Sequence, residues 1–232
     1  MREEQEWSRS EIFDMTLDDK ARKLSEEEFI GFQPEHYECG GREQFIYLLR
    51  AGLMPDSKVV DIGCGVLRAG YWLIHFLNPG CYFGIEPHEG RLENGKLRIL
   101  EEEVLAAKVP KFDTNPDFNT SVFGEKFDFF LAYSIWTHAA KWGIEATLDS
   151  FVRDAKPGAV FLTTYLPANE EHPDYDGDTW VGSSHESMSV GCIHHSTEWV
   201  EEQCAKRELT MERLPPDLTY RMSWLAIRKA EA

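Results

Sequence analysis

One short stretch concentrates the chemistry of this chain: a carboxylate, Asp61, with Gly63 and Gly65 close behind it in the run KVVDIGCGVLRAG. Glycines at such a turn let the backbone approach a ligand where a Cβ would collide with it. A second carboxylate, Glu86, follows 21 residues after Gly65. That is the distance at which an acid at the next strand end accepts both hydrogen bonds of a ribose diol. A dinucleotide site would want a small third residue over the pyrophosphate, but Arg68 stands there and is too large for that packing role. Asp61 would also repel a pyrophosphate. An aspartate at that point suits a ligand with a cationic amino group.

The flanking residues supply the elements that hold this turn. Residues 58–62 form a compact apolar β run, 68–77 read as a helix stopped by Asn78-Pro79-Gly80, and 81–85 form a second strand closed by Glu86-Pro87. A long helix is expected to run on to about Lys108, with Leu97, Leu100, Val104 and Ala107 on one face. Strands follow at 111–113, 127–133 and 159–165, with a helix at 141–155 that Pro157-Gly158 should end. The last elements are a helix at 197–206 and two β runs, 209–214 and 223–228, joined through Pro215-Pro216. With no helix between them, those two runs should pair antiparallel, whereas the alternation before them means a mostly parallel α/β sheet. Ahead of the turn, 42–51 reads as a short buried helix, 29–41 as irregular, and 1–28 as an acidic surface segment.

Composition narrows the partners. The 232 residues carry 24 Lys+Arg against 41 Asp+Glu, a formal charge of −17. That balance disfavours both phosphate neutralisation on nucleic acid and docking on an anionic membrane. The five cysteines are odd in number and widely spaced, so neither a disulfide framework nor a zinc site is indicated. The stretch 174–178 superficially resembles a calcium loop, but its glycine is misplaced and His185 stands where the closing Glu should be. No metal is expected. A charged first stretch and no run of ~20 apolar residues lead to the expectation of a soluble, cytoplasmic protein. We expect a helical extension over 1–54 and one ligand-binding domain over 55–232, with a lid-like insertion at about 166–196 carrying His172, Tyr175, Trp180, His185, His194 and His195.

Val60-Asp61-Ile62-Gly63-Cys64-Gly65 resembles the first motif of class I S-adenosylmethionine (SAM)-dependent methyltransferases. Glu86, with Pro87 behind it, matches the ribose-binding acid of that family, Asp117-Phe118 resembles its adenine segment, and 127–139 (FDFFLAYSIWTHA) resembles its fourth-strand motif. The final pair of strands resembles the hairpin that closes the family's seven-stranded Rossmann-like sheet. The resemblance spans about 55–229, and the tract 67–87 is similar to bacterial methyltransferases of polysaccharide and small-metabolite pathways. It implies S-adenosyl-L-methionine as cofactor, held by Asp61, Gly63, Cys64, Gly65, Glu86, Pro87, Asp117, Phe118 and Ser134. Arg68, helped by Arg42 and Gln44, would meet the cofactor's carboxylate. The acceptor would be a small molecule bearing a hydroxyl or amine. His138, just past the fourth strand, is the expected general base, with His194 and His195 in reserve and Tyr165 orienting the acceptor. A non-catalytic SAM-binding scaffold, or a SAM-dependent enzyme of another outcome such as aminopropyl transfer, fits the same residues. A homo-oligomer is compatible with all of these readings.

Overall fold

A computed structural model describes residues 14–27, 33–183, 187 and 189–230. The expectations for residues 1–13 and 28–32, and for His185, fall outside the described residues. Along the chain come α1 (Leu17–Glu26), α2 (Tyr37–Arg50), β1 (Val59–Ile62), α3 (Arg68–Phe76), β2 (Tyr82–Ile85), α4 (Glu89–Asn94) and α5 (Glu102–Lys108). They are followed by β3 (Lys111–Asp113), β4 (Phe127–Ala132), α6 (Lys141–Asp154), β5 (Ala155–Tyr165), α7 (Thr197–Ala205), β6 (Leu209–Leu214) and β7 (Ser223–Lys229). Seven strands form one sheet in the order β3-β2-β1-β4-β5-β7-β6. All pairs are parallel except those of β7, which runs antiparallel to both β5 and β6. This is the expected mostly parallel sheet with its closing antiparallel hairpin.

Both faces of the central strands are buried, so β1 and β4 read as nearly continuous apolar runs. Val60, Ile62, Phe130 and Phe161 pack with Leu148 and Phe151 of α6, while Val59, Leu131 and Leu162 pack with Leu73 of α3 and Trp224. The strand order reverses between β1 and β4, which opens a crevice at their carboxyl ends. Among the described residues no helix is long and apolar enough to cross a membrane.

Three elements differ from the sequence reading. The helix expected from 42 starts at Tyr37, because the glycines that looked like a loop are a packing surface. A Cβ on Gly41 would lie 2.2 Å from the Arg68 carbonyl oxygen, so only glycine lets α2 lie this close to the start of α3. The long helix to Lys108 is broken: after α4 the chain widens into a π-helical turn, Gly95–Ile99, and Leu100 is extended before α5 begins. That turn brings Ile99 and Leu100 into the core and leaves Leu97, expected on the apolar face, 69% exposed. Finally, β5 begins before Pro157-Gly158, not after it. The pair forms an irregularity that sets Ala155 opposite Phe127 and Val160 opposite Phe129.

Candidate active site

At the carboxyl end of β1 the backbone turns through Gly63, whose φ of +73° favours glycine, and whose Cβ would strike the Ile135 side chain at 2.1 Å. The amides of Gly63 and Cys64 both donate to the Ile85 carbonyl, which ties the turn to the end of β2. Glu86 is buried there. Its carboxylate accepts from the Gly65 amide and the His88 amide, both at 2.9 Å, so its position is set by backbone on two sides. Asp61 is also buried, one residue short of the end of β1, and accepts from the Tyr82 hydroxyl at 2.8 Å. Burial pushes its pKa up to about 7, against the pull of Tyr82 and Arg68. Arg68, the first residue of α3, lays its guanidinium 4.8 Å above the Tyr133 ring.

These side chains line one cavity of about 870 Å³. Of the residues expected at a site, Asp61, Gly63, Cys64, Gly65, Arg68, Glu86, Pro87, Phe118, Ser134 and His138 line it. So does Gln44, which donates to the Gly40 carbonyl. Arg42 does not: it is exposed and pairs with Glu38 at 3.3 Å. Asp117 is exposed at its neighbour's side and is absent from the lining, because the turn gives the inward position to Phe118.

His138 follows β4 and lies partly buried in the cavity wall. Its Nδ1 donates to the Val181 carbonyl at 2.7 Å, which leaves Nε2 as the basic nitrogen, and its ring stacks on Trp180 at 5.7 Å. Burial lowers its pKa, while the Val181 and Gly191 backbones act the other way. Ser134 has φ of +59°, held by its amide donating to the Thr164 hydroxyl.

The other expected catalytic residues lie elsewhere. Tyr165 is fully buried with its hydroxyl against that of Thr197 at 2.8 Å. His195 is fully buried and its Nε2 donates to the Ala139 carbonyl at 3.0 Å. His194 donates to the Pro167 carbonyl and stacks on His172. None of the three lines the cavity. Their loop does reach it through other residues: Leu166, Trp180, Gly182, Ser183 and the 190–192 stretch form part of the wall. Asp174, in the rejected calcium-like stretch, takes Lys141 at 2.6 Å and the Ser196 amide at 2.7 Å.

Sequence reasoning missed Arg91 on α4 and Tyr133, Tyr220 and Met222 in the wall. Arg91 left no trace, because a cation in the last turn of a helix is what the macrodipole favours anyway. The other three are placed by packing between distant segments and left none.

No protein-family model matches the chain. Among solved structures it is similar to magnesium protoporphyrin IX methyltransferase (ChlM) from Synechocystis PCC 6803 with bound SAH, at 15% identity and a TM-score of 0.62 over 91% of this chain and 94% of that one. Streptomyces venezuelae DesVI matches at 13% identity and a TM-score of 0.62, covering 90% of this chain and 98% of the other. The glycopeptide N-methyltransferase MtfA complexed with sinefungin matches at 11% identity and a TM-score of 0.60, covering 82% and 94%. The chain has the methyltransferase fold. In that fold the strand-order reversal at β1 and β4 falls where the cavity opens, and the Asp61–Gly65 turn forms its floor.

Proposed function

We propose that this chain is a class I SAM-dependent methyltransferase that moves a methyl group to a hydroxyl or amine of a small molecule. The observation that carries this reading is the convergence of Asp61, Arg68 and Glu86 on one cavity at the sheet's reversal point. The residues fit the cofactor group by group. Asp61 is a buried carboxyl suited to an ammonium, Arg68 with Gln44 suits a carboxylate, Glu86 suits a ribose diol, and Phe118 presents an apolar face to adenine. The cavity volume lies toward the upper end for small-molecule sites and leaves room for an acceptor beside the cofactor. The glycopeptide and protoporphyrin substrates in its neighbours' names support a small-molecule acceptor over nucleic acid, as does the −17 charge.

When bound, S-adenosylmethionine supplies a methyl activated on a sulfonium sulfur. The chain's own work is then alignment and proton removal. Neutral His138 takes the acceptor's proton at Nε2, and its Nδ1 bond to Val181 orients the ring for that transfer. Trp180 and the 190–192 stretch border the cavity on the His138 side, where the acceptor would lie.

The test is transfer of labelled methyl into a panel of sugars, hydroxylated metabolites and amines, alongside calorimetry with SAM, SAH and NADH. We expect SAM and SAH to bind and at least one acceptor to be labelled. Tighter binding of NADH than of SAM would replace the reading with a dehydrogenase. Cofactor binding with no acceptor labelled would turn it to the scaffold.

A further inference from the structure

We infer that the acceptor carries an oxyanion, a carboxylate or a phosphate, and that Arg91 receives it; the inference rests on the methyltransferase reading. Arg91 lies in the last turn of the six-residue α4 and lines the cavity. One end of the guanidinium donates to the Ser183 carbonyl at a long 3.4 Å, and the buried Nε has no hydrogen-bond partner. Among the described residues no carboxylate pairs with it, in a chain where acids outnumber Lys+Arg by 41 to 24. A buried N–H without an acceptor is costly, and a planar guanidinium fork matches carboxylate and phosphate oxygens two at a time.

Charge bookkeeping across the cavity points the same way. Among the described residues its Asp, Glu, Lys and Arg lining consists of Asp61, Glu86, Arg68 and Arg91, which sum to zero when all are ionised. Asp61 is committed to the ammonium and Arg68 to the carboxylate, and Glu86 meets a neutral diol. The sulfonium therefore leaves the loaded cavity with one positive charge, which an anionic acceptor neutralises in a site of low dielectric. Arg91 is the cation left to meet it. It is also near enough to His138 to disfavour that ring's protonated form, so the anion and the nucleophile would sit in one pocket with the base.

The probes are acetate, inorganic phosphate and, as the neutral control, acetamide, each titrated into the full-length protein loaded with SAM, which carries the sulfonium. The readout is the Arg91 Nε–H nuclear magnetic resonance signal, assigned by its loss in Arg91→Leu. We expect acetate or phosphate to shift that signal saturably and acetamide to leave it unmoved; the tighter anion identifies carboxylate or phosphate as the acceptor's group. By calorimetry, which needs no Arg91 signal, Arg91→Leu should weaken anion binding by about tenfold or more while SAH affinity stays within a few-fold. A signal indifferent to both anions overturns the inference. So does an Arg91→Leu protein that folds but loses SAH, because the guanidinium then serves the cofactor. SAH failing to bind the wild-type chain is a separate result, seen before any anion is added, and it overturns the methyltransferase reading beneath this one.

Discussion

Glu86 and Asp61 are both buried acids at one turn, yet backbone donors hold the first and a phenol the second, and they should answer differently to change. Replacing Glu86 by Ala removes both charge-assisted bonds to the diol, so SAH affinity measured by calorimetry should fall about 10²-fold. Asp61→Asn should act through pH. With its pKa raised to about 7, ligand-free Asp61 is largely protonated at pH 6, and an ammonium selects the carboxylate. SAH should therefore bind more tightly as pH rises from 6 to 8, and the dependence should flatten in Asp61→Asn. The sign for stability is opposite. The folded pKa lies above the ordinary value of 3.8, so the ligand-free protein loses stability as pH climbs through the window from 3.8 to about 7. Asp61→Asn should then melt higher than wild type at pH 8 without ligand. His138→Gln should keep SAH affinity while kcat falls about 10²–10⁴-fold. Because burial lowers the His138 pKa below its ordinary 6.5, the acidic limb of the wild-type pH–rate profile should lie below that value and vanish in the variant.

At the scale of elements, α2 and the loop after β5 do more than the sequence pattern shows. Gly41→Ala would drive a methyl into the Arg68 carbonyl, forcing α2 off α3, so the melting temperature should drop by several degrees. Arg68 and Gln44 would part with it, and SAH affinity should weaken in the same variant. The 166–196 segment has two parts. Its arms belong to the fold, joined by bridges from Pro167 to His195 and from Asp174 to His194, with the Ile193 amide donating to the Thr137 carbonyl. Replacing only 177–191 by a short Gly-Ser turn should preserve those arms, leave SAH affinity within a few-fold and abolish turnover. Large loss of SAH affinity there would assign the segment to the cofactor. The strands, the glycine turn and Glu86 were legible because a doubly covered parallel strand is apolar throughout and the turn carries fixed spacings. The interrupted helix after β2 was not, since its apolar spacing fits a continuous helix and the close packing of Gly95 on the Val66 backbone carries no periodic signal. The loop histidines misled for a similar reason. A histidine that satisfies a buried carbonyl, as His195 does, looks in sequence like one that faces a ligand.

For the molecule as a whole, cofactor and fold should be thermodynamically linked: a ligand at 100 times its Kd adds about 2.7 kcal/mol, so SAH should raise the melting temperature by several degrees. The same increment should be missing in Glu86→Ala at equal SAH concentration. The cavity wall also joins early and late parts of the chain. Tyr47 of α2 stacks on Trp224 of β7 at 4.5 Å and donates to the Pro215 carbonyl, Glu43 accepts from the Leu218 amide at 2.8 Å, and Tyr220 and Met222 line the cavity. In the sheet β7 lies between β5 and β6 although it comes after both in the chain. During synthesis, then, β1 to β5 can assemble on the ribosome while β6 waits for its neighbour and Tyr47 has no Trp224 beneath it. The nascent chain would form the Asp61–Gly65 turn and Glu86 before Tyr220 and Met222 exist to close the cavity beside Arg68.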